Sequence, residues 1–322
     1  MVRKLLSAGL AGMALVSLAS GVALAAYPER PIRLVVGFAA GGPTDVAARI
    51  VAKGLSDRLG QQVIVENRAG ANANLAADNV VQSPADGYTL LYATSSIVIS
   101  QFMYKELHYD LKKDFKPLLL TVTIPHAIVV PDASPYRRIE DFIAALKSGK
   151  RLSFGSAGVG NANHLSPLLF LHRIGAEAQH IPYRGSAPAL NDLVAGRIDF
   201  MADAVSTELP FIEAGKLRAL GIAGTAPIAR LPGVPALAGG LVPGYEVGAW
   251  SGILAASGTP PDIVRALNEA GNQALADPAI RGLFDTQGIT VLGSTPEAFG
   301  RFIDEETMRI GAIIKDANIQ AE

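Results

Sequence analysis

The sequence predicts an α/β protein of two doubly wound, Rossmann-like lobes joined by two extended crossovers. Three observations lead there. Short β-branched runs alternate with helical stretches along most of the chain, which implies parallel βαβ units and not a sandwich. Two glycine-rich strand-to-helix turns fall one in each half: Gly37-Phe38-Ala39-Ala40-Gly41-Gly42-Pro43-Thr44-Asp45 and Gly155-Ser156-Ala157-Gly158-Val159-Gly160-Asn161. The 322 residues are about twice the roughly 150 of an average domain, enough for two separate cores.

Ile32–Val36 opens the pattern as a strand, and residues 63–66 and 88–93 read the same way, bounded by Gly, Asn or Asp. Between the first two, residues 45–59 put Val46, Ile50, Leu55 and Leu59 on one helical face, and Gly60 stands where a C-cap belongs. Residues 74–82 predict a second helix, followed by the turn Ser83-Pro84-Ala85-Asp86-Gly87. Further on, residues 138–147 predict a helix ended by Ser148-Gly149, residues 152–154 a strand, and residues 161–174 a helix stopped by Gly175. Strands at 180–182 and 198–201 flank a helix over 186–195. Pro227, Pro232, Pro235 and Pro243 mark an irregular return. After an extended stretch at 245–255, Pro260-Pro261-Asp262 starts a long helix with proline in its first turn. Helices near 278–287 and 295–315 finish the chain.

The runs 118–130 and 247–254, both extended and punctuated by Pro or Gly, are the expected crossovers and would serve as a hinge between closing lobes. That division gives residues 26–124 and 249–322 to a discontinuous first lobe and residues 125–248 to the second.

Residues 1–25 read as an export signal: Arg3 and Lys4, an apolar stretch from Leu5 to about Val16, and Ala23-Leu24-Ala25 as a cleavage site. An uncleaved anchor is the alternative, but Gly9, Gly12, Ser17, Ser20 and Gly21 dilute the stretch. Cleavage near Ala25 and a periplasmic location are therefore expected. The 28 basic residues, less Arg3 and Lys4, stand against 29 acidic ones, and no run of like charge stands out. That balance argues against nucleic acid or an anionic membrane surface as partner. The absence of cysteine rules out a lipobox anchor and disulfides. Five scattered histidines without a His-x-x-x-His pair give no reason to expect a metal or other cofactor.

Enzyme motifs fail at specific positions. The frame Gly37-x-x-x-x-Gly42-Pro43-Thr44 puts proline where a phosphate-binding loop needs lysine. Gly155-Ser156-Ala157-Gly158 is one residue short of a nucleophile elbow, and Gly155-x-x-Gly158-x-Gly160 reverses the dinucleotide-binding spacing. No catalysis is expected.

A helix that begins after a glycine turn aims free backbone N–H groups and the positive end of its dipole at whatever sits in front. Two such mouths face to face make a cleft that prefers anions. Phe38, Ala39, Gly41, Gly42 and Thr44 are candidates for the first mouth, with Asp45 balancing the dipole or anchoring a bridging water. Thr94 and Ser95 end the third strand at the edge where ligands of open α/β sheets gather, or cap the next helix. In the second half Ser156 leads, its hydroxyl and the following amides, that of Ala157 among them, expected to face the cleft. Asn161 and His164 accompany it, although His164 equally suits one structural hydrogen bond. Asp203 would pair with a ligand ammonium or act as a cap or hinge contact. Arg184 suits a carboxylate clamp or a pairing across its loop.

Several ordered motifs resemble one family. They are Tyr27-Pro28-Glu29-Arg30-Pro31-Ile32-Arg33-Leu34-Val35-Val36 with the turn after it, Val65-Glu66-Asn67-Arg68, and Ala85-Asp86-Gly87-Tyr88-Thr89-Leu90-Leu91. Gly155-Ser156-Ala157-Gly158, Pro182-Tyr183-Arg184-Gly185-Ser186-Ala187-Pro188-Ala189 and Gly196-Arg197-Ile198-Asp199 complete the set. Over roughly residues 27–320 the chain is similar to the substrate-binding proteins of tripartite tricarboxylate transporters, the Bug family.

The resemblance implies a periplasmic binding protein type II-like fold, a two-lobed receptor that closes on a small carboxylate. It further implies delivery to an integral-membrane permease, and a carboxylate held mostly by backbone amides, hydroxyls and ordered water. The ligand is expected to be a small organic acid or amino acid, and the receptor a monomer. A ligand-sensing adaptor that presents the same closed form to a receptor kinase is the rival reading. The chain departs from the family at Ala69, Asn72 and Ala73, where a proline and paired glycines are usual, and at Ala40, where proline is usual. Asn161 and Asn163 are also more polar than usual.

Overall fold

The computed structural model describes residues 27–316. The expected export signal, and cleavage near Ala25, lie outside the described residues.

The first sheet starts with β1 (Ile32–Val36), α1 (Pro43–Leu59), β2 (Val63–Asn67), α2 (Asn74–Val81) and β3 (Thr89–Thr94). The repeat then changes: α3 (Ser96–Met103) and α4 (Leu111–Asp114) lead into the 17-residue strand β4 (Phe115–Pro131). The second half contributes α5 (Ile139–Lys147), β5 (Ser153–Ser156), α6 (Ala162–Ile174), β6 (Gln179–Pro182) and α7 (Ser186–Val194). After these come β7 (Met201–Ala204), α8 (Val205–Glu213) and β8 (Leu217–Ala223). The chain returns through β9 (Gly248–Ala256) to α9 (Pro261–Ala276), α10 (Pro278–Asp285), β10 (Thr290–Val291) and α11 (Pro296–Asp316).

Local chemistry accounts for the element ends. Proline occupies the first turn of α1, α9 and α10, where its missing N–H costs nothing. Gly60 closes α1 in the left-handed conformation and donates its N–H to the Ser56 carbonyl. Asp110 and Asp277 cap α4 and α10 through their carboxylates.

The first sheet runs in the order β10-β4-β9-β3-β1-β2. β1 pairs in parallel with both β2 and β3, while β9 runs antiparallel to β3. The two crossovers are β4 and β9, and they lie side by side, antiparallel from Phe115 opposite Ala256 to Pro125 opposite Gly248. At His126 the partners of β4 change: from there to Pro131 it pairs with β7 and β8. In the second lobe β5 pairs in parallel with β6, and a bridge from Phe154 to Phe200 ties them to the start of β7. One ribbon therefore belongs to two sheets, and each lobe is an α/β layer structure around its own strands.

One assignment moves, and one helix stands where none was expected. The strand expected at 198–201 lies at Met201–Ala204, because Ile198 is used as a plug against Gly155 and the Asp199 carboxylate accepts bonds from the Ser153 N–H and hydroxyl. α8 goes beyond the expected pattern, since Pro210 lies inside it and reads as a breaker.

The cores follow the layers. Phe142 is fully buried and meets Phe200 and Phe170 at ring-centroid distances of 5.1 and 6.3 Å in the second lobe. Val51, Leu55, Leu119 and Leu267 join α1, α9 and the first sheet. Among the described residues no helix is long and apolar enough to cross a membrane.

Candidate functional site

A cavity of about 910 Å³ opens between the C-terminal ends of the parallel strands and the crossover ribbon, near the upper end of what small-molecule sites occupy, roughly 300–1,000 Å³. Its walls are built mainly from helix beginnings. Gly42, Ser95, Asn161, Gly185 and Ala204 are the N-cap residues of α1, α3, α6, α7 and α8, and all five line it. None of these five helices has a side-chain cap from its N-cap residue, as is also true of α2, α5 and α9, whereas α4 and α10 are capped. The N-cap residue of each thus supplies no side-chain oxygen to the first turn, although in α3 the Ser96 N–H finds the Thr94 hydroxyl at 3.3 Å, and the positive dipole ends converge.

The first wall holds Phe38, Ala39, Gly41, Gly42 and Thr44 at the cavity surface, and Thr94 and Ser95 beside them. Gly41 adopts φ +81°, a conformation that suits glycine alone at no cost. Its N–H donates to the Asp45 carboxylate at 2.9 Å. Asp45 is a correction: it is 2% exposed, lies off the cavity surface, and works as a knot. Its carboxylate also accepts from Arg49 at 2.8 and 3.0 Å and from the Asn67 amide at 2.8 Å. These bonds, Arg49's foremost, hold its pKa down to about 2.

On the second wall Ala157, Asn161 and Asp203 reach the surface, but Ser156 and His164 do not, a further correction. Ser156 is fully buried, its hydroxyl 2.6 Å from His180 Nε2 and 3.1 Å from the Gly158 N–H that it accepts. His164 accepts the Gly160 N–H on Nδ1 and stacks on His180 with centroids 4.1 Å apart. Burial first, then the neighbouring His180, lowers its pKa to about 4. Both side chains shape the turn from inside.

Asp203 is present at the surface but engaged. Oδ2 accepts from Asn163 Nδ2 at 3.0 Å and from the Ser186 hydroxyl, and Oδ1 accepts from the Ala204 N–H at 2.7 Å. Asn163 is engaged too, accepting the Ala157 N–H on Oδ1. This carboxylate latches the starts of α6, α7 and α8 together. Beneath it, burial and the Asp203 charge push the Glu208 pKa well up, while its carboxyl oxygen accepts the Asp203 N–H.

Sequence reasoning did not place the floor. His126 of β4 and Trp250 of β9 line the cavity at 1% and 2% exposure. Desolvation lowers the His126 pKa to about 4, against the opposing pull of Asp203. Arg184, weighed only as one of two possibilities, stands exposed at the rim as the single Lys or Arg side chain among the described lining residues, and it forms no ion pair with them. Among the described residues no group of three or more His, Cys, Asp or Glu could hold a metal ion.

The two depressed histidines set a pH dependence. With folded pKa values near 4 against about 6.5 unfolded, the unfolded state binds more protons between those values, so stability rises with pH across that window. Urea midpoints are expected to fall on acidification from pH 6.5 to 4. His164→Gln is expected to flatten that fall, and an unchanged slope would contradict the burial argument.

Comparison with known proteins adds the context. A family model described as "Tripartite tricarboxylate transporter family receptor" matches residues 47–319. A Pseudomonas sp. (strain P51) protein, "UPF0065 protein in tcbD-tcbE intergenic region", is 39% identical over 97% of this chain and 94% of its own. BugT of Bordetella pertussis is 34% identical, covering 94% of each chain. Among solved structures, Rpa4515 of R. palustris with adipate superposes with TM-score 0.84 at 33% identity, over 92% of this chain and all of that one. MatC of Rhodopseudomonas palustris with bound malate gives 0.79 at 31% identity, over 89% of this chain and all of that one.

Proposed function

The chain belongs to the tripartite tricarboxylate transporter receptor family, and on that premise we propose that it is a periplasmic solute-binding protein whose lobes close on a small carboxylate. The loaded form is then handed to a membrane permease, the receptor acting as a monomer. In this reading residues 26–124 with 249–322 move as one lobe and residues 125–248 as the other, about the ribbon where β4 changes partners.

One observation carries the reading: five helices begin at one cavity, with Arg184, in no ion pair among the described residues, at its rim. Amide and hydroxyl donors there suit an anion. Binding at micromolar affinity requires about −8 kcal/mol. Four to six charge-assisted hydrogen bonds, at about 1.5–3 kcal/mol each, supply that before association costs, with Phe38 and the Trp250 floor adding apolar contact.

Because the Asp203 oxygens already serve the protein's own donors, the cleft offers little to an ammonium. The ligand is therefore an organic acid and not an amino acid. Two solved relatives hold adipate and malate, each with two carboxylates, and Arg184 in the lining of the same cavity fits a second acid group.

A thermal-shift screen of the purified protein against mono-, di- and tricarboxylates and amino acids tests this. At a hundredfold excess over Kd, a dicarboxylate is expected to stabilise by about 2.7 kcal/mol, or roughly 5–10 °C. Stabilisation by amino acids alone, with none by any organic acid, would refute the reading.

A further inference from the structure

Between β2 and α2 the backbone enters the left-handed region three times in succession without glycine. Ala71, Asn72 and Ala73 have φ of 46°, 52° and 73°. In that region Cβ crowds the carbonyl, a cost that asparagine tolerates and alanine does not. The segment is held there from both sides. Ala73 lies so close to the first turn that a Cβ on Gly37 would come within 2.1 Å of its methyl. Just beyond, Asn74 is buried and its Oδ1 accepts from the Tyr109 hydroxyl at 2.7 Å.

What the distortion achieves is the placement of Asn72 in the wall of the cleft. Its Nδ2 donates to the Ser100 hydroxyl of α3 at 3.3 Å, which leaves Oδ1 as an acceptor. Among the described lining residues from Phe38 to His126, the other polar side chains are the His126 imidazole and the hydroxyls of Thr44, Thr94, Ser95, Ser96 and Tyr104. The helix starts add donors. Among the described lining residues from Phe38 to His126, Asn72 thus brings the one amide or carboxylate oxygen.

We propose that Asn72 is a specificity-determining residue: its amide oxygen accepts a hydrogen bond from a hydroxyl on the ligand, so the cleft selects a hydroxycarboxylate over the same acid without that hydroxyl. The inference rests on the carboxylate reading above. An ionised carboxylate has no proton to donate, and closing the cleft strips water from Oδ1. A deoxy acid then leaves a buried acceptor unpaired, the situation in which a polar site discriminates most strongly. An ammonium would also donate, but it would face the positive ends of α1 and α3.

Calorimetric titration with pairs differing by one hydroxyl, such as malate with succinate and 2-hydroxyadipate with adipate, tests the role on the wild type, Asn72→Gly and Ala73→Gly. The wild type is expected to favour the hydroxy acid at least about tenfold in one pair. Asn72→Gly is expected to bring that ratio below about threefold by weakening the hydroxy acid alone, while Ala73→Gly keeps it. Ala73→Gly is expected to melt higher without ligand, by about 2 °C or more, since glycine relieves the left-handed strain that alanine carries there.

A wild type that binds both members of every pair equally, or an Asn72→Gly variant that keeps the preference, overturns the inference and leaves the carboxylate reading intact. Failure of the wild type to bind any member of any pair overturns the inference, and failure to bind any organic acid of the screen overturns the carboxylate reading as well.

Discussion

Arg184→Glu is expected to lower carboxylate affinity by about 100-fold or more while leaving the ligand-free melting temperature within about 1 °C of the wild type. The effect on binding is large because the substitution removes the one Lys or Arg among the described residues of the cleft wall and puts an anion in its place. A charge-assisted hydrogen bond contributes about 1.5–3 kcal/mol, and reversal adds repulsion in a site that closure dries. The effect on stability is small because Arg184 is exposed and supports no other described side chain. Arg184→Lys is expected to fall between, keeping the charge and losing the forked geometry that matches a carboxylate. Calorimetry with the best ligand of the screen decides it, and an affinity within threefold of wild type would remove Arg184 from the site.

Asp203→Ala is expected to do the opposite: destabilise the protein by about 3 kcal/mol, a loss of roughly 6–12 °C in melting temperature. Three donors, from Asn163, Ser186 and the Ala204 backbone, lose their acceptor in a place that is 5% exposed. With the latch gone the starts of α6, α7 and α8 are no longer held to one another, so ligand affinity falls as a consequence. Had Asp203 been a ligand's ammonium partner, the same substitution would spare stability and abolish only amino acid binding. Thermal melts with and without ligand separate the two.

The sequence carried the scaffold well because its signals are local. Gly60 and Gly175 end helices, proline starts α1 and α9, and β-branched runs form β1 to β3 with ends displaced by one residue at most. The first mouth was legible for the same reason, since Phe38 to Thr44 are neighbours in the chain as well as in space.

The second wall was harder because its roles are set by partners far along the chain. Ser156 meets His180, and Asn163 meets Ser186 and Asp203. One signal for Ser156 was available: in a strand alternate residues share a face, so Ser156 follows Phe154, which is fully buried, into the interior. No such parity argument reaches His164, whose direction depends on stacking against a residue of another strand. Asn72 was visible as a departure from the family pattern, but its left-handed backbone was not.

The central claim is that helix beginnings from both lobes capture an organic acid across the cleft. A crystal structure with the best-stabilising acid bound tests it most directly. The account predicts a carboxylate within about 3 Å of backbone N–H groups at the start of α1 or α7, with Arg184 at a second acid group. An acid seated instead behind the crossover ribbon, in the cavity of about 330 Å³ lined by Glu306 and Arg309, would contradict it.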